Sequence, residues 1–184
     1  MRYLLHVTAV SFSGGSERTE MKTYNSTLCY IEQAHQYLML HRIKKEQDIN
    51  AGKWIGVGGK FEEGESPEEC LVREVREETG FELMHYLLRG IVTFVTPAVT
   101  EYMFLYTADG FRQESTSLPP CDEGVPAWVD IDEIEELPLW EGDRIFLRLL
   151  RENAPFFSLK LQYDGGGHLL SAILDGRHLP IKEK

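Results

Sequence analysis

The chain has 184 residues, which suits one domain with a sizeable core and leaves little length for a second. A formal net charge of −11 and an isoelectric point near 5.0 argue against binding to a DNA or RNA polymer, which needs a basic surface, but allow a small anionic substrate carried by a metal ion. No apolar run approaches the roughly 20 residues that span a membrane, and three widely spaced cysteines indicate reduced thiols in a cytoplasmic protein.

The chain begins with a segment that differs from the rest. Residues 1–20 are predicted to be an appendage, because a short apolar opening leads into a polar stretch rich in Ser, Gly and charge. Residues 21–184 are predicted to form the single domain. Its first elements are two strands, at 27–31 and 37–43, which a polar turn joins as a hairpin, and a short strand follows at 53–57.

The best-defined element is a helix that is predicted to begin at Pro67 and to end at Thr79. Ser66 has the position of an N-cap, and Glu69 that of its capping-box partner. Good helix formers fill the interval, and Gly80 stands where a left-handed C-cap residue is wanted.

Two acids of this helix lie beside its apolar stripe. With Leu71 as origin and about 100° per residue, Val75 lies roughly 40° and Val72 roughly 100° away, and this side is predicted to be buried. Glu78 lies about 20° and Glu74 about 60° to the other side of Leu71, so neither carboxylate points straight to water. Carboxylates at a core edge need a positive partner, and a hard divalent cation is the obvious candidate.

The other charged residues of the helix lie elsewhere on the wheel. Glu77 is on the flank beside Glu74, and Arg73 is on the outward face. Arg73 is therefore predicted to pair with an acid of the preceding loop, such as Glu65, rather than to contact substrate. The alternative, a solvated helix with alternating charges, does not explain why two carboxylates border the apolar stripe.

The rest of the chain alternates between strands and short helical segments. Glu101 opens an otherwise apolar strand, so it is either an exposed end residue or a further acid aimed at a metal. The predicted elements are, in order, an antiparallel strand pair at 90–95 and 102–106, a strand at 127–131, a helical turn at 132–136, an amphipathic helix at 143–152 and a closing hairpin at 156–163 and 169–174.

The spacing of residues 59 to 81 resembles the signature of the Nudix hydrolases. The resemblance implies an α/β fold, the Nudix α/β/α sandwich with a mixed sheet between helices. It also implies hydrolysis of a nucleoside diphosphate linked to a further group. The residues that carry it are Gly59, Glu65 after five further residues, Arg73 and Glu74 after another seven, then Glu77, Glu78, Gly80 and the apolar Phe81.

The resemblance also implies a metal site and the residues that act around it. The cation is magnesium, with manganese as the alternative, and one of the nearby glutamates is the general base. Glu65 and Arg73 support the catalytic acids, while Gly59 and Lys60 lie at the substrate. The predicted metal ligands are Glu74, Glu77, Glu78, the carbonyl group of Gly58, with that of Gly59 as the alternative, and, if it is not merely an exposed end residue, Glu101.

A looser likeness extends to the MutT-like hydrolases of oxidised purine nucleoside triphosphates. It rests on the run 54–60, the corner 140–143 and the aromatic closing hairpin. On that likeness Trp140 stacks on the base and Asp143 hydrogen-bonds its edge, and the products are a nucleoside monophosphate and pyrophosphate. Trp140 equally suits a core aromatic, and Asp143 an acid favoured by the helix dipole.

The likeness leaves the preferred base and the substrate class open. Ile55 and Gly142 stand where vertebrate members have Asn and Asp. Besides 8-oxo-dGTP, the alternatives are an ordinary nucleoside triphosphate, a nucleotide sugar or a dinucleotide polyphosphate. A non-catalytic nucleotide sensor is a further alternative, although a sensor would be expected to have lost acids from the helix. The predicted partner is a small nucleotide, not a nucleic acid polymer or a membrane, and the protein is predicted to be a monomer or homodimer.

Overall fold

The computed structural model describes residues 21–44, 49–113, 118–119, 121–122 and 124–181, so the appendage predicted at 1–20 lies outside the described residues. None of the helices described is long and apolar enough to cross a membrane. The elements are β1 (Lys22–Gln33), β2 (Gln36–His41), β3 (Trp54–Ile55), α1 (Pro67–Thr79), β4 (Phe81–Val95), β5 (Val99–Gln113), β6 (Val125–Asp130), a 3₁₀ turn (Ile134–Glu136), α2 (Asp143–Arg151), β7 (Phe157–Tyr163), β8 (Leu169–Leu174) and β9 (Arg177–His178).

The strands form one mixed sheet. Their order is β3-β2-β1-β5-β4-β7-β8-β9, and β6 pairs with β2. β1 runs parallel to β5 and β4 runs parallel to β7, whereas β1 with β2, β4 with β5 and β7 with β8 are antiparallel. The two predicted hairpins and the central antiparallel pair are therefore confirmed.

The helices cover opposite faces of this sheet, because successive strand residues point to opposite sides. In β1, Leu28 and Tyr30 join one core cluster, and Cys29 and Ile31 join the other. The second cluster contains the apolar side of α1. The first contains the buried side of α2, namely Phe146, Leu147 and Leu150. The prediction of an α/β/α sandwich with a mixed sheet is confirmed.

The ends of α1 agree with the sequence prediction. The Ser66 hydroxyl accepts a hydrogen bond from the amide of Glu69 at 3.2 Å, and the Glu69 carboxylate accepts one from the amide of Ser66 at 2.8 Å. Gly80 has φ 71°, which a residue with a side chain adopts only with strain. Local sequence alone therefore sets where this helix begins and ends.

The buried face of α1 is rotated relative to the prediction. Val72 is 38% exposed, so its assignment to the buried stripe is wrong. Cys70 is fully buried instead, and its thiol lies 3.5 Å from the Thr27 hydroxyl and 3.6 Å from the Gly59 carbonyl oxygen. The side of α1 with Cys70 faces residues 56–59, here called the glycine loop, which pack between α1 and β1.

The sequence did not reveal the first half of β4, residues 81–89. Register shifts interrupt the pairing with β5 near Leu83, His85 and Leu88. A shift of register breaks the alternation of buried and exposed residues by which a half-buried strand is recognised. Met84 and Leu87 are both exposed although they are three residues apart. A regular alternation of apolar and polar residues, which would have predicted a strand, is therefore missing here.

Candidate active site

A cavity of about 610 Å³ opens between the glycine loop, the first residues of β1 and the start of α2. It brings together most of the predicted site residues. Three others, Glu65, Glu77 and Glu78, do not line its wall. The predicted residues that do line it are Gly58, Gly59, Lys60, Arg73, Glu74, Glu101, Trp140 and Asp143.

The glycine loop lies directly against the acids of α1. The Gly58 amide donates a hydrogen bond to the Glu78 carboxylate at 3.0 Å, and Glu78 is only 8% exposed. A Cβ atom at position 59 would lie 2.4 Å from a carboxylate oxygen of Glu74. Residue 59 must therefore be glycine if Glu74 is to keep its position beside the loop.

Arg73 joins the loop to the helix, as predicted. Its Nε and Nη2 atoms donate to the two carboxylate oxygens of Glu65 at 2.6 and 2.9 Å. The same guanidinium donates to the Lys60 carbonyl oxygen at 3.0 Å and to Glu74 at 2.8 Å. Hydrogen bonds from Arg73 are the main reason that the pKa of Glu65 falls to about 2. Glu65 is therefore ionised throughout the neutral range.

Replacement of Arg73 by Lys is expected to lower kcat/KM by roughly 10-fold and the melting temperature by several degrees. A lysine keeps the charge but cannot make the two parallel hydrogen bonds to Glu65 or reach Lys60 and Glu74 at once. Steady-state kinetics and calorimetry measure both effects. Arg76→Lys, an exposed change on the same helix, is the control, and equal behaviour of the two variants would contradict the role given to Arg73.

The acids of α1 fit a divalent cation by their chemistry. Glu74 and Glu78 offer carboxylate oxygens close to the glycine loop, and Gly58 offers a carbonyl oxygen there. Glu77, 61% exposed, adds a third carboxylate within reach of the Arg73 guanidinium at 3.4 Å. An oxygen donor set of this kind suits a hard cation rather than a soft one.

A different group of side chains has the tightest potential ligand cluster. Among the described residues, His35, Asp130 and Asp132 are the one group of three whose ligand atoms all lie within 4.8 Å of one another. His35 and Asp132 are largely exposed, and a ring nitrogen of His35 lies 3.4 Å from a carboxylate oxygen of Asp132. Glu74, Glu77 and Glu78 are not a group of this kind; Arg73 donates to Glu74 and Glu77, and the Gly58 amide donates to Glu78.

Glu101 lies on the opposite wall, on β5. The Ser26 hydroxyl donates to one of its carboxylate oxygens at 2.5 Å, and the Tyr24 hydroxyl donates to the other at 3.1 Å. Glu101 lines the cavity and is only partly exposed. Of the two predictions for Glu101, an exposed strand end is thus the poorer description, and its role toward a metal stays a prediction.

Trp140 combines features of both predictions made for it. Its indole nitrogen donates to the side-chain oxygen of Asn50 at 2.8 Å, and its ring meets Phe94 and Tyr163 edge to face. The side chain is partly buried and lines the cavity. The aromatic contacts fix the plane of the ring beside the space that a base would need.

Asp143 is buried at the wall of the same cavity. It is 6% exposed, and burial raises its pKa from the ordinary value of 3.8 to about 7, although the nearby charge of Lys53 opposes the shift. The carboxyl group therefore gains and loses its proton near neutral pH. An acid at an ordinary solvated helix start would not be buried in this way.

Position 142 leaves no room for a side chain in this fold. A Cβ atom at this position would lie 2.6 Å from the Tyr163 hydroxyl oxygen and 2.5 Å from Leu161 Cδ1. The Gly142 amide donates to that hydroxyl at 2.8 Å. In this chain Tyr163 thus takes the space that a side chain at position 142 would need.

Asp143→Asn is expected to remove a pH dependence of stability. Because the pKa of Asp143 is raised to about 7, the folded state binds the proton more tightly than the unfolded state does. This contribution to stability is complete below the unfolded pKa and is lost as the pH rises through about 7. Between about pH 5 and pH 8 the wild type should lose several degrees of melting temperature relative to the variant, and parallel calorimetric curves would contradict the assignment.

Three of the polar side chains that line the cavity, those of Tyr24, Ser26 and Asn50, were not predicted from the sequence. Tyr24 and Ser26 lie before the strand predicted at 27–31, and Asn50 lies in a loop. None of them belongs to a spaced motif. The parallel pairing of β1 with β5, which brings Tyr24 opposite Glu101, is the signal that would have found the first two, and it is visible only in the folded chain.

Comparisons with known proteins agree with this geometry. The sequence model described as "NUDIX domain" matches residues 22–150. The uncharacterized Nudix hydrolase YvcI of Bacillus subtilis (strain 168) is 30% identical over 158 residues, which cover 83% of this chain and 95% of that protein. An oxidized purine nucleoside triphosphate hydrolase of Danio rerio is 32% identical over 114 residues, which cover 61% and 71% of the two chains.

Solved structures give the same result. The crystal structure of a mutator MutT protein from Bacillus halodurans aligns with a TM-score of 0.74 at 29% identity, covering 83% of this chain and 97% of that chain. Nudix hydrolases act on small nucleotide substrates and generally use divalent metals. The chain therefore belongs to the Nudix family, is similar to its MutT-like members, and is a Nudix pyrophosphohydrolase.

Proposed function

We propose that the protein hydrolyses a nucleoside triphosphate in a magnesium-dependent reaction, with 8-oxo-dGTP or another oxidised purine nucleotide as its substrate. One observation carries the proposal: a single cavity is lined by Gly59 and Glu74 of the signature and by Trp140 and Asp143. The relatives from Danio rerio and Mus musculus that are called oxidized purine nucleoside triphosphate hydrolase, 32% and 31% identical, support the substrate class.

The phosphate side of the cavity belongs to the loop and to α1. Magnesium, or manganese in its place, would be held by Glu74, Glu77 and Glu78, with the Gly58 carbonyl group and Glu101 as further ligands. When bound, the cation neutralises phosphate oxygens and lowers the pKa of the attacking water. Lys60 supplies an ammonium group at the cavity wall for the same phosphates, and Arg73 orients Glu74 through the hydrogen bond at 2.8 Å.

The base side belongs to Trp140 and Asp143. Trp140 offers a ring held in one plane by Asn50 and its aromatic neighbours, which suits stacking on a purine. Asp143, buried and with a pKa near 7, suits hydrogen bonding to the edge of a base, because it accepts when ionised and donates when protonated. These groups fix the nucleotide so that its phosphates lie along the glycine loop.

The products are a nucleoside monophosphate and pyrophosphate, and the cellular role is sanitation of the nucleotide pool, which protects DNA from oxidised precursors. The three cysteines, Cys29, Cys70 and Cys121, are unpaired and buried. Their free thiols support a reducing compartment and the proposed location in the cytoplasm.

A substrate panel tests the proposal. Formation of the nucleoside monophosphate is measured with 8-oxo-dGTP, dGTP, the other dNTPs, ADP-ribose and a diadenosine polyphosphate, each with magnesium, with manganese and with excess chelator, and pyrophosphate is measured as the second product of the triphosphates. A strong preference for 8-oxo-dGTP, lost with chelator, is the expected result. Turnover of ADP-ribose or the dinucleotide instead would keep the hydrolase and discard the base assignment. Binding without turnover of any member would favour the nucleotide sensor.

A further inference from the structure

Tyr24 lies where the two walls of the cavity meet. It is one of the first residues of β1, and the parallel register places it opposite Glu101 of β5. An isolated antiparallel bridge pairs Ser26 with Lys60, so the residue after the glycine loop runs alongside the same part of β1. Tyr24, Glu101 and Lys60 all line the cavity. The fold therefore brings the carboxylate of Glu101 and the ammonium group of Lys60, which are far apart in the sequence, to one aromatic side chain.

The hydroxyl of Tyr24 orients the carboxylate of Glu101. It donates to one carboxylate oxygen of Glu101 at 3.1 Å, while Ser26 donates to the other at 2.5 Å. With a donor on each oxygen, the carboxylate has one preferred orientation. A phenol keeps its proton at neutral pH, so the Tyr24 hydroxyl is available as the donor in this hydrogen bond.

The ring of Tyr24 positions the ammonium group of Lys60. The Lys60 ammonium nitrogen lies 4.2 Å from the centre of the Tyr24 ring, a distance at which the negative face of the ring attracts a cation. Lys60 is otherwise exposed, and an exposed lysine side chain samples many rotamers. The contact restricts the ammonium group to the side of the residue that borders the cavity.

We propose that Tyr24 is a positioning residue of the active site, whose hydroxyl orients Glu101 and whose ring orients Lys60 for the phosphates of the substrate. The assignment of phosphates to this wall rests on the proposed function. The two contacts have separable consequences, because phenylalanine keeps the ring and removes the hydroxyl, whereas leucine removes both.

Kinetics of two variants separate the two consequences. Tyr24→Phe is expected to lower kcat by about 10-fold with little change in KM, because one hydrogen bond to a charged group is lost. Tyr24→Leu is expected to show the same fall and in addition a KM raised about 3-fold, because the ammonium group is released. In a Lys60→Met background the difference in KM between the two variants should vanish. Tyr102→Phe, an exposed tyrosine beside Glu101 on β5, is the control.

Binding measurements without nucleotide keep this test independent of the substrate. Calorimetric titration with Mn²⁺ should show about 10-fold weaker binding for both variants, and titration with inorganic triphosphate should show weaker binding for Tyr24→Leu alone. If the wild type hydrolyses no nucleotide but the variants bind Mn²⁺ and triphosphate more weakly as stated, the proposed function fails and the role of Tyr24 stands. Circular dichroism checks that the Tyr24 variants are folded. If the folded variants behave like Tyr102→Phe in kinetics and in both titrations, the role of Tyr24 is overturned.

Discussion

Replacement of Glu78 by Gln is expected to lower kcat/KM by at least roughly 10³-fold while the fold stays intact. The loss is large because a cation ligand contributes several kcal/mol to the stabilisation of charge in the transition state. The fold should survive because the side-chain oxygen of glutamine can still accept the hydrogen bond that Gly58 donates to Glu78 at 3.0 Å. Glutamine also fills the same volume in a site that is only 8% exposed.

Three measurements decide this prediction. Pyrophosphate release gives kcat/KM, calorimetry gives the melting temperature, and titration with Mn²⁺ gives the affinity for the cation. Glu82→Gln, an exposed carboxylate just beyond the C-terminal end of α1, is the matched control and should behave as the wild type. Near-normal turnover by a folded Glu78→Gln protein would refute the assignment of Glu78 to the metal site.

Asp143→Ala is expected to raise KM for 8-oxo-dGTP by up to roughly 10²-fold and to change KM for ordinary nucleotides much less. Under the proposed function the buried carboxyl group of Asp143 hydrogen-bonds the edge of the base, and such a bond contributes about 1.5 to 3 kcal/mol. The effect should fall on KM rather than kcat because the base lies away from the reacting phosphorus. Burial of Asp143 is unfavourable to its charge, so the variant should not be destabilised above neutral pH.

The comparison of substrates makes this prediction specific. KM is measured for 8-oxo-dGTP, dGTP and dATP with the wild type, Asp143→Ala and Glu152→Ala. Glu152 is an exposed acid at the other end of α2 and should have no effect on any of the three. An equal rise in KM for all nucleotides with Asp143→Ala would mean that the residue is structural and that it does not read the base.

Local sequence was sufficient where a structural feature depends on neighbouring residues. The capping box of Ser66 and Glu69 and the left-handed Gly80 set the ends of α1, and they do so through contacts within the helix and its caps. The pairing of Arg73 with Glu65 followed in the same way, because the helix wheel leaves Arg73 facing the loop that precedes it. The family signature lies entirely within this local unit.

The sequence failed where packing between distant segments decides the outcome. Val72 is exposed and Cys70 buried because the glycine loop, and not the strongest apolar stripe, sets the rotation of α1. The first half of β4 escaped detection because its register shifts remove the alternation that marks a strand. The sequence could not decide between core and site for Trp140 and Asp143 either, since both environments favour the same residue types.

By itself, then, the sequence determined the family, the bounds of α1 and the identity of the acids on it, because these depend on spacing along one short stretch. Tertiary structure decided which residues share the cavity. Parallel pairing of β1 with β5 brings Tyr24 to Glu101 across 77 positions of sequence, and the start of α2 buries Asp143 on the same cavity. Such contacts depend on strand register and on burial, which are properties of the whole sheet and not of any local pattern.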